Sequence, residues 1–460
     1  MFPRILLSRG LRAATIVDVS APRSRFPCLA HRALSSLTKD ASQTYRTSFR
    51  TITPNTASLK CKIRQPLIPS RSSSTSIPLS SASNTSDIKA SEAESGSSDT
   101  ITTTKPIVGY WYLFSGTLVF GIVVIGGLTR LTESGLSITE WNVFKGMKPP
   151  TSQSEWEDEF NKYKQFPEYQ LLNRHITLEE FKFIFYMEWA HRMWGRAIGL
   201  AFILPGLYFA SKGYMTPGIK KMSLVVATLI GCQGVLGWYM VRSGLKEEIL
   251  HTPGAVPRVS QYFLAAHLGS AFVIYSIMLS AGWGILRANK VKALAGLLTA
   301  LRNPALKPLR RYAHITTGLV FLTALSGAFV AGLDAGLIYN EWPLMGNGVV
   351  PSDMWMPEKS WWRNLLENPS AVQFDHRILA YSTFTAISAL WMYSRALPLP
   401  PQARVAVNLL MGVACIQVTL GITTLIYFVP IPLAAAHQAG SLTLLTSALW
   451  LMHVLKAVPK

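Results

Sequence analysis

The sequence Glu-Trp-Ala-His-Arg at residues 188–192 stands where a polar loop meets a long apolar stretch. It places a glutamate, a histidine and an arginine at the edge of a segment that is apolar enough to enter a bilayer. Ionisable side chains are costly in hydrocarbon, so such a cluster indicates a functional site. A second copy, Gln-Phe-Asp-His-Arg at residues 373–377, begins another apolar stretch, but its first residue is an amide. This pair of related stretches decides both the predicted fold and the predicted function.

The composition indicates a protein that crosses a membrane several times. Of the 460 residues, 49% are hydrophobic and only 15% are charged. The net charge of +20 does not indicate nucleic-acid binding, because more than half of the excess lies in residues 1–71. This segment is rich in Arg and Ser and poor in acids, which is typical of a mitochondrial transit peptide. A retained basic tail is the alternative. Residues 72–104 are rich in Ser and Thr and are expected to form a disordered linker.

Eight apolar stretches after the linker are long enough to cross a bilayer as helices, which takes about 20 residues. They lie at residues 107–128, 187–210, 222–241, 262–286, 312–332, 373–394, 405–428 and 432–455. Lysine and arginine concentrate in the loops on one side, and the loop at 287–311 contains seven of them and no acid. The acidic run at 155–159 lies on the other side. The positive-inside rule then predicts both chain termini in the matrix.

The apolar part of the chain contains an internal repeat. Gln-Gly-Val-Leu-Gly at 233–237 recurs as Gln-Val-Thr-Leu-Gly at 417–421, and Ala-Ala-His at 265–267 recurs at 435–437. Each copy has an even number of spans, so both copies have the same orientation in the membrane. We therefore predict an all-α membrane protein with eight transmembrane helices in two pseudo-symmetric four-helix bundles. The predicted domains are the transit peptide, the linker, an N-terminal bundle and a C-terminal bundle, at residues 1–71, 72–104, 105–290 and 305–460.

Four of the nine histidines lie near the starts of every second span, at a similar depth on the outer side. They are His191, His267, His376 and His437. Facing helices of a four-helix bundle can hold a cofactor, and two imidazoles can bind one haem iron from opposite sides. Each bundle supplies one pair, His191 with His267 and His376 with His437. A hydrogen-bonded packing role is the alternative, and zinc is disfavoured because neither pair has a third ligand at a suitable spacing.

Arginines accompany the histidines in both copies. Arg192 and Arg377 directly follow a predicted ligand, and Arg196 lies one turn further along the helix than Arg192. Arginine binds carboxylates in a bidentate manner, so these side chains are candidates for binding haem propionates. Snorkelling to lipid phosphates or to the outer surface is the alternative for each of them.

Glu188 is the difference between the two copies. It lies one helical turn before His191, on the same face of the helix. A carboxyl group in a desolvated site can accept or donate protons, which the amide of Gln373 cannot do. An enzyme with one working haem and one spectator haem would account for this difference. A solvated residue at a helix start is the alternative for Glu188.

The chain resembles the haem A synthase family from about residue 107 to its end. The resemblance is carried by Gly-Gly-Leu-Thr-Arg-Leu-Thr-Glu-Ser-Gly-Leu-Ser at 126–137, by Glu-x-x-His-Arg at 188–192, and by the later histidines. It implies that a ring methyl of haem o is oxidised to the formyl group of haem A for cytochrome c oxidase assembly. The implied roles are catalysis by Glu188, substrate binding by His191, His267, Arg192 and Arg196, and binding of a haem b cofactor by His376, His437 and Arg377.

The resemblance also implies location and partners. It places the protein in the mitochondrial inner membrane, with the haem sites towards the intermembrane space. The implied partners are a matrix ferredoxin for electrons and haem O synthase for substrate delivery. Membrane lipid and further copies of the chain, as a homo-oligomer, are the other partners considered, and nucleic acid is not expected.

The residues alone leave two other functions open. A dihaem b-type electron carrier of the membrane would use the same four histidines but would not need Glu188. A transporter built from a repeat would use the histidines in a proton relay and would bind no haem.

Overall fold

A computed structural model describes residues 103–142, 147–252, 255–291 and 293–456. The predicted transit peptide lies outside the described residues, as does the predicted linker up to residue 102. The secondary structure of the described residues is helical, apart from turns and one isolated bridge between Met345 and Gly348. The predicted all-α class is therefore confirmed.

Eight helices of at least 25 residues make up most of the described chain. They are α1 (Pro106–Leu131), α2 (Leu178–Ser211), α3 (Pro217–Gly244), α4 (Gln261–Ala288), α5 (Lys307–Gly332), α6 (Pro369–Arg395), α7 (Pro401–Ile426) and α8 (Ile431–Leu455). Among the described residues, six helices are long and apolar enough to cross a membrane, namely α1 to α5 and α7. The protein is thus a multi-pass membrane protein. Polar residues are spread along α6 and α8, and neither is among these six helices. Their crossing of the membrane therefore stays a prediction.

The start of α2 differs from the sequence-based prediction. The apolar stretch indicates a span that begins at 187, whereas the helix begins at Leu178. The cause is a capping box in the polar loop: the Thr177 side chain accepts from the backbone N–H of Glu180, and the Glu180 side chain accepts from that of Thr177. Glu188 and His191 therefore lie well inside the helix, and Glu188 is buried rather than solvated at a helix start.

The helices contact one another in the same order in the two parts of the chain. In the first part, α1 and α3 each contact α2 and α4. In the second part, α5 and α7 each contact α6 and α8. The two parts meet where α4 packs on α5 and α8, and where α1 packs on α8. The predicted boundary between two bundles falls between α4 and α5, where the chain forms the short helices Ala295–Leu301 and Pro304–Leu306.

The loop between α1 and α2 forms a small packed layer on the first turns of α2. Its helix Gln153–Tyr163 supplies three members of an aromatic cluster, α2 adds two phenylalanines, and Tyr169 of the helix Pro167–Leu171 packs against it. The cluster consists of Trp156, Phe160, Tyr163, Phe181 and Phe185. Glu168 is buried beside it and accepts a hydrogen bond of 3.0 Å from Tyr163 Oη. Burial raises the pKa of Glu168 to about 8.

Two glycines let α1 and α4 approach each other closely. A Cβ atom at Gly282 would lie 2.7 Å from Leu113 Cγ and 3.0 Å from the carbonyl oxygen of Gly109. Gly282→Ala is therefore expected to destabilise the protein by about 1–3 kcal/mol through overpacking. Gly284→Ala, on the same helix with no atom within 4 Å of its Cβ, is the control. Thermal unfolding of both purified variants measures the difference, and equal midpoints would contradict this close approach.

The raised pKa of Glu168 predicts that the stability of the loop layer between α1 and α2 depends on pH. At pH values above the ordinary 4.5 the unfolded chain releases the proton, whereas the folded layer keeps it up to about 8. Stability is therefore expected to fall as the pH rises through this window and to level off above it. Hydrogen exchange of residues 153–171, corrected for intrinsic rates, measures this. Glu168→Gln should remove the dependence, and Glu157→Gln, exposed on the same layer, should retain it.

Candidate functional site

The buried Glu188 and the partly buried Arg192 form an ion pair one turn apart on α2. Oε1 of Glu188 lies 2.6 Å from Nη2 and 3.0 Å from Nε of Arg192. Oε2 accepts hydrogen bonds from Ser137 Oγ and from the backbone N–H of Ile138, both at 2.8 Å. Arg192 also donates to the carbonyls of Ile138 and Glu140. The pair therefore fastens the segment after α1 to α2.

Gln373 and Arg377 repeat this arrangement on α6. Arg377 Nη2 donates to Gln373 Oε1 at 2.9 Å, and Gln373 Nε2 donates to the carbonyls of Ala335 and Ile338 at 2.7 and 2.5 Å. Arg377 also donates to four carbonyls between residues 339 and 344. The segment after α5 is thereby fastened to α6.

The two segments explain why one copy has a glutamate and the other a glutamine. The segment after α1 presents an N–H and a hydroxyl group, which a carboxylate oxygen accepts. The segment after α5 presents two carbonyl oxygens, which need a donor such as the amide of Gln373. The exchange of Glu188 for Gln373 thus matches the local hydrogen bonding. Catalysis would be a second role for Glu188, and it stays a prediction.

Each of the four predicted haem ligands packs against a glycine of the preceding helix. A Cβ atom built on these glycines would lie between 2.8 and 3.4 Å from Cε1 of the facing imidazole. The contacts are Gly126 with His191, Gly237 with His267, Gly327 with His376, and Gly421 with His437. A larger side chain would displace the ring. Sequence analysis missed these residues, although Gly237 and Gly421 end the repeated segments that reveal the duplication.

The imidazoles of His191 and His267 are neighbours, with ring centres 6.5 Å apart and ring planes inclined at 63°. Two imidazoles that bind one metal ion from opposite sides, through bonds of about 2 Å, have ring centres about 6 Å apart. The buried Nδ1 atoms of both rings lack a hydrogen-bond partner. Within the described residues, no group of three or more His, Cys, Asp or Glu side chains could hold a metal ion. The pair therefore fits the axial ligation of haem better than a zinc site.

His376 and His437 differ from the first pair in their surroundings. Nδ1 of His376 is hydrogen-bonded to Ser326 Oγ at 2.7 Å, and Nδ1 of His437 lies 3.1 Å from Nε2 of Gln417. The two imidazoles are close enough to interact electrostatically. Hydrogen bonds of this kind fix the orientation of a ligand ring. The rings of the C-terminal pair are thus held by neighbouring side chains. In the N-terminal pair, Gln233, the counterpart of Gln417, donates instead to the carbonyl of His267 and to Ser270 Oγ, and the Nδ1 atoms have no hydrogen bond.

The predicted propionate-binding arginines have partners within the protein. Arg192 and Arg377 are engaged by the two segments described above. Arg196 donates to the carbonyl of Asn142 at 3.2 Å. Propionate binding by these three arginines therefore stays a prediction. Their observed contacts hold the segments after α1 and α5 in place.

The fold and the two histidine pairs define a multi-pass helical membrane protein with sites suited to haem. The chain matches the model of the COX15-CtaA family, described as cytochrome oxidase assembly protein, over residues 109–449. The chain belongs to this family. It is 50% identical over 403 residues to "Heme A synthase COX15" of Bos taurus, covering 87% of this chain and 92% of that protein. The family indicated by the sequence motifs is thereby confirmed.

Relatives extend beyond animals. The chain is 45% identical over 352 residues to "Heme A synthase" of Nitrosospira multiformis, covering 76% of this chain and 94% of that protein. It is also 45% identical over 364 residues to "Heme A synthase-mitochondrial ferredoxin fusion protein" of Schizosaccharomyces pombe. That match covers 74% of this chain and 59% of the fusion protein.

The opposite hydrogen bonding of the two segments predicts the effect of exchanging Glu188 and Gln373. Glu188→Gln would place an amide N–H against a donor, at a cost of about 1–3 kcal/mol. Gln373→Glu would place a carboxylate against two carbonyl oxygens. Each variant is expected to speed hydrogen exchange in its own segment, at residues 137–142 or 335–344. Glu179→Gln, exposed on α2, is the control. Unchanged exchange in both variants would show that neither side chain anchors its segment.

Proposed function

We propose that this protein is a haem A synthase that oxidises a ring methyl of haem o to the formyl group of haem A. The observation that carries the proposal is the neighbouring pair of His191 and His267, with ring centres 6.5 Å apart, in a chain of this family. The names of the relatives, both haem A synthases, agree with it. The bound haem iron would supply the redox chemistry. The residues of the chain would bind and orient the haem and move protons beside it.

The N-terminal pair is assigned to the substrate and the C-terminal pair to a haem b cofactor. A resident cofactor is best served by ligand rings in a fixed orientation, such as His376 and His437 with their partners Ser326 and Gln417. A substrate haem must leave once it has been converted. Ligands without such hydrogen bonds release it more readily, as expected for the pair with unpartnered Nδ1 atoms.

Glu188 is assigned the proton-transfer role one turn from His191. Its two oxygens accept from Arg192, Ser137 and Ile138, so it can take up a proton only if one donor turns away. Ser137 is the donor that can do so, because a hydroxyl group is also an acceptor and can rotate. We therefore assign Ser137 as the donor whose hydroxyl rotates away when Glu188 Oε2 takes up a proton.

The arrangement in the membrane is also a proposal. All eight long helices would cross the mitochondrial inner membrane as two pseudo-symmetric bundles, with both termini in the matrix and the haem sites towards the intermembrane space. The matching order of helix contacts and the four equivalent glycine–histidine contacts support the symmetry. The loop charges support the orientation.

A matrix ferredoxin is the proposed electron partner. The name of the fission yeast relative joins the two proteins in one chain, which supports this assignment. The acid-free basic loop at 287–311 would lie on the matrix side and suits an acidic partner. Delivery of haem o by haem O synthase and assembly into a homo-oligomer are further proposals, and they rest on the family resemblance.

A dihaem electron carrier is the second candidate. It would use the same two pairs, and it gains support from the structural explanation of the Glu188 and Gln373 exchange. Family membership favours the enzyme. Formation of haem A by the purified protein, supplied with haem o and a reduced ferredoxin, separates the two functions.

Loss of single histidines tests the assignment of the two sites. Haem extracted from purified His191→Ala is expected to contain haem b but little haem o, and extraction from His376→Ala should give the reverse. His314→Ala, outside both pairs on α5, is the control and should keep both haems. The opposite pattern would exchange the two assignments. A wild-type protein without a Soret band would exclude both haem functions and favour the transporter.

A further inference from the structure

A basic cleft of about 350 Å³ opens between Arg192 on α2 and the end of α3. Trp238 and Arg242 line it from α3, Lys246 lines it from just beyond the helix, and Trp141 lines it from the segment after α1. The guanidinium of Arg242 lies 5.5 Å from the ring centre of Trp238. Such cation–π contacts hold an arginine in place without neutralising it.

The cleft adjoins the N-terminal histidine pair. Gly237 directly precedes Trp238 and is the glycine that faces His267, with 3.4 Å from its Cβ position to the imidazole. Arg192 directly follows His191. His191 is therefore next in sequence to a residue that lines the cleft, and His267 contacts the residue that precedes another.

Two cations in this cleft lack a charge partner. Arg192 is neutralised by Glu188. Glu140, the acid in the lining, lies 3.4 Å from Lys162. In the described part of the chain, no carboxylate forms an ion pair with Arg242 or Lys246. The cleft thus offers two exposed positive charges to an anionic ligand.

The C-terminal half has no such cations at the equivalent positions. The repeated segments 233–237 and 417–421 align Trp238 with Ile422 and Arg242 with Ile426. Lys246 aligns with Pro430. The positive charge therefore accompanies only the pair that lacks hydrogen bonds to its Nδ1 atoms.

We propose that Arg242 and Lys246 bind the propionate carboxylates of the haem held by His191 and His267. This inference rests on the proposed function and adds two substrate-binding residues to it. A guanidinium matches a carboxylate in a bidentate manner, and an ammonium adds a second point charge. Arg192 is neutralised by its ion pair with Glu188. Arg242 and Lys246 therefore supply the positive charge for the propionates.

Paired titrations with charged and uncharged haem test this role. The purified full-length protein is titrated with haem o and with haem o dimethyl ester, whose two carboxylates are capped, and binding is followed by Soret absorption. The wild type is expected to bind haem o about fivefold more tightly than the ester, the upper range for exposed ion pairs. Added salt should reduce this preference. The Arg242→Gln, Lys246→Gln double variant should bind both haems equally.

Controls separate the possible causes of a negative result. Arg174→Gln removes an exposed charge outside the cleft and should keep the wild-type preference. Retention of haem b shows that the double variant is folded. If the double variant loses both haems, the titrations are repeated with Arg242→Gln alone, which should lose part of the preference for haem o over the ester. A double variant that keeps the wild-type preference would overturn the inference. A His191→Ala variant that binds haem o like the wild type would instead overturn the proposed function.

Discussion

The ion pair between the buried Glu188 and the partly buried Arg192 constrains the surroundings of the site. A charged pair removed from water is stable only if its remaining donors and acceptors are satisfied. Here Ser137 and Ile138 complete the shell around the carboxylate, and carbonyls of the same segment complete that around the guanidinium. The position of the segment is therefore dictated by the pair. Because His191 lies one turn from Glu188, the same contacts also set the depth and rotation of α2 at the proposed ligand.

The second constraint is the close packing of neighbouring helices at the four histidines. The four histidines need their helices close to the preceding helix, and only glycine allows this distance. Small residues allow close approach of helices in membranes, where no hydrophobic force draws the helices together. Gly126 and Gly327 allow α2 and α6 to approach the preceding helix. Gly237 and Gly421 allow the same for α4 and α8. The hydrogen-bonded segments position α2 and α6, which carry His191 and His376, and the glycines pack against all four rings.

The all-α membrane class, the family and the four histidines could be predicted from the sequence. The length of the apolar stretches and the ionisable residues at their edges are visible in a single chain. The true start of α2 could not be predicted, since a capping box extends the helix through a polar loop. Nor does the sequence show that the exchange of Glu188 for Gln373 matches the hydrogen bonding of two segments. Whether a loop presents N–H groups or carbonyls depends on its backbone conformation, which sequence patterns do not show. The role of the glycines depends in turn on which helices pack together.

Duplication makes the differences between the halves more informative than either half. A shared scaffold places both histidine pairs by the same contacts, so features needed for holding haem as such should occur twice. The glycines, the histidines and the anchored segments do. The hydrogen bonds of Ser326 and Gln417 to imidazole nitrogens accompany only the C-terminal pair, and the cations Arg242 and Lys246 accompany only the N-terminal pair. One half thus fixes its ligands from within, and the other offers charge to the ligand from outside. This division would suit the proposed retained cofactor and exchanged substrate, and it holds whether or not Glu188 is catalytic.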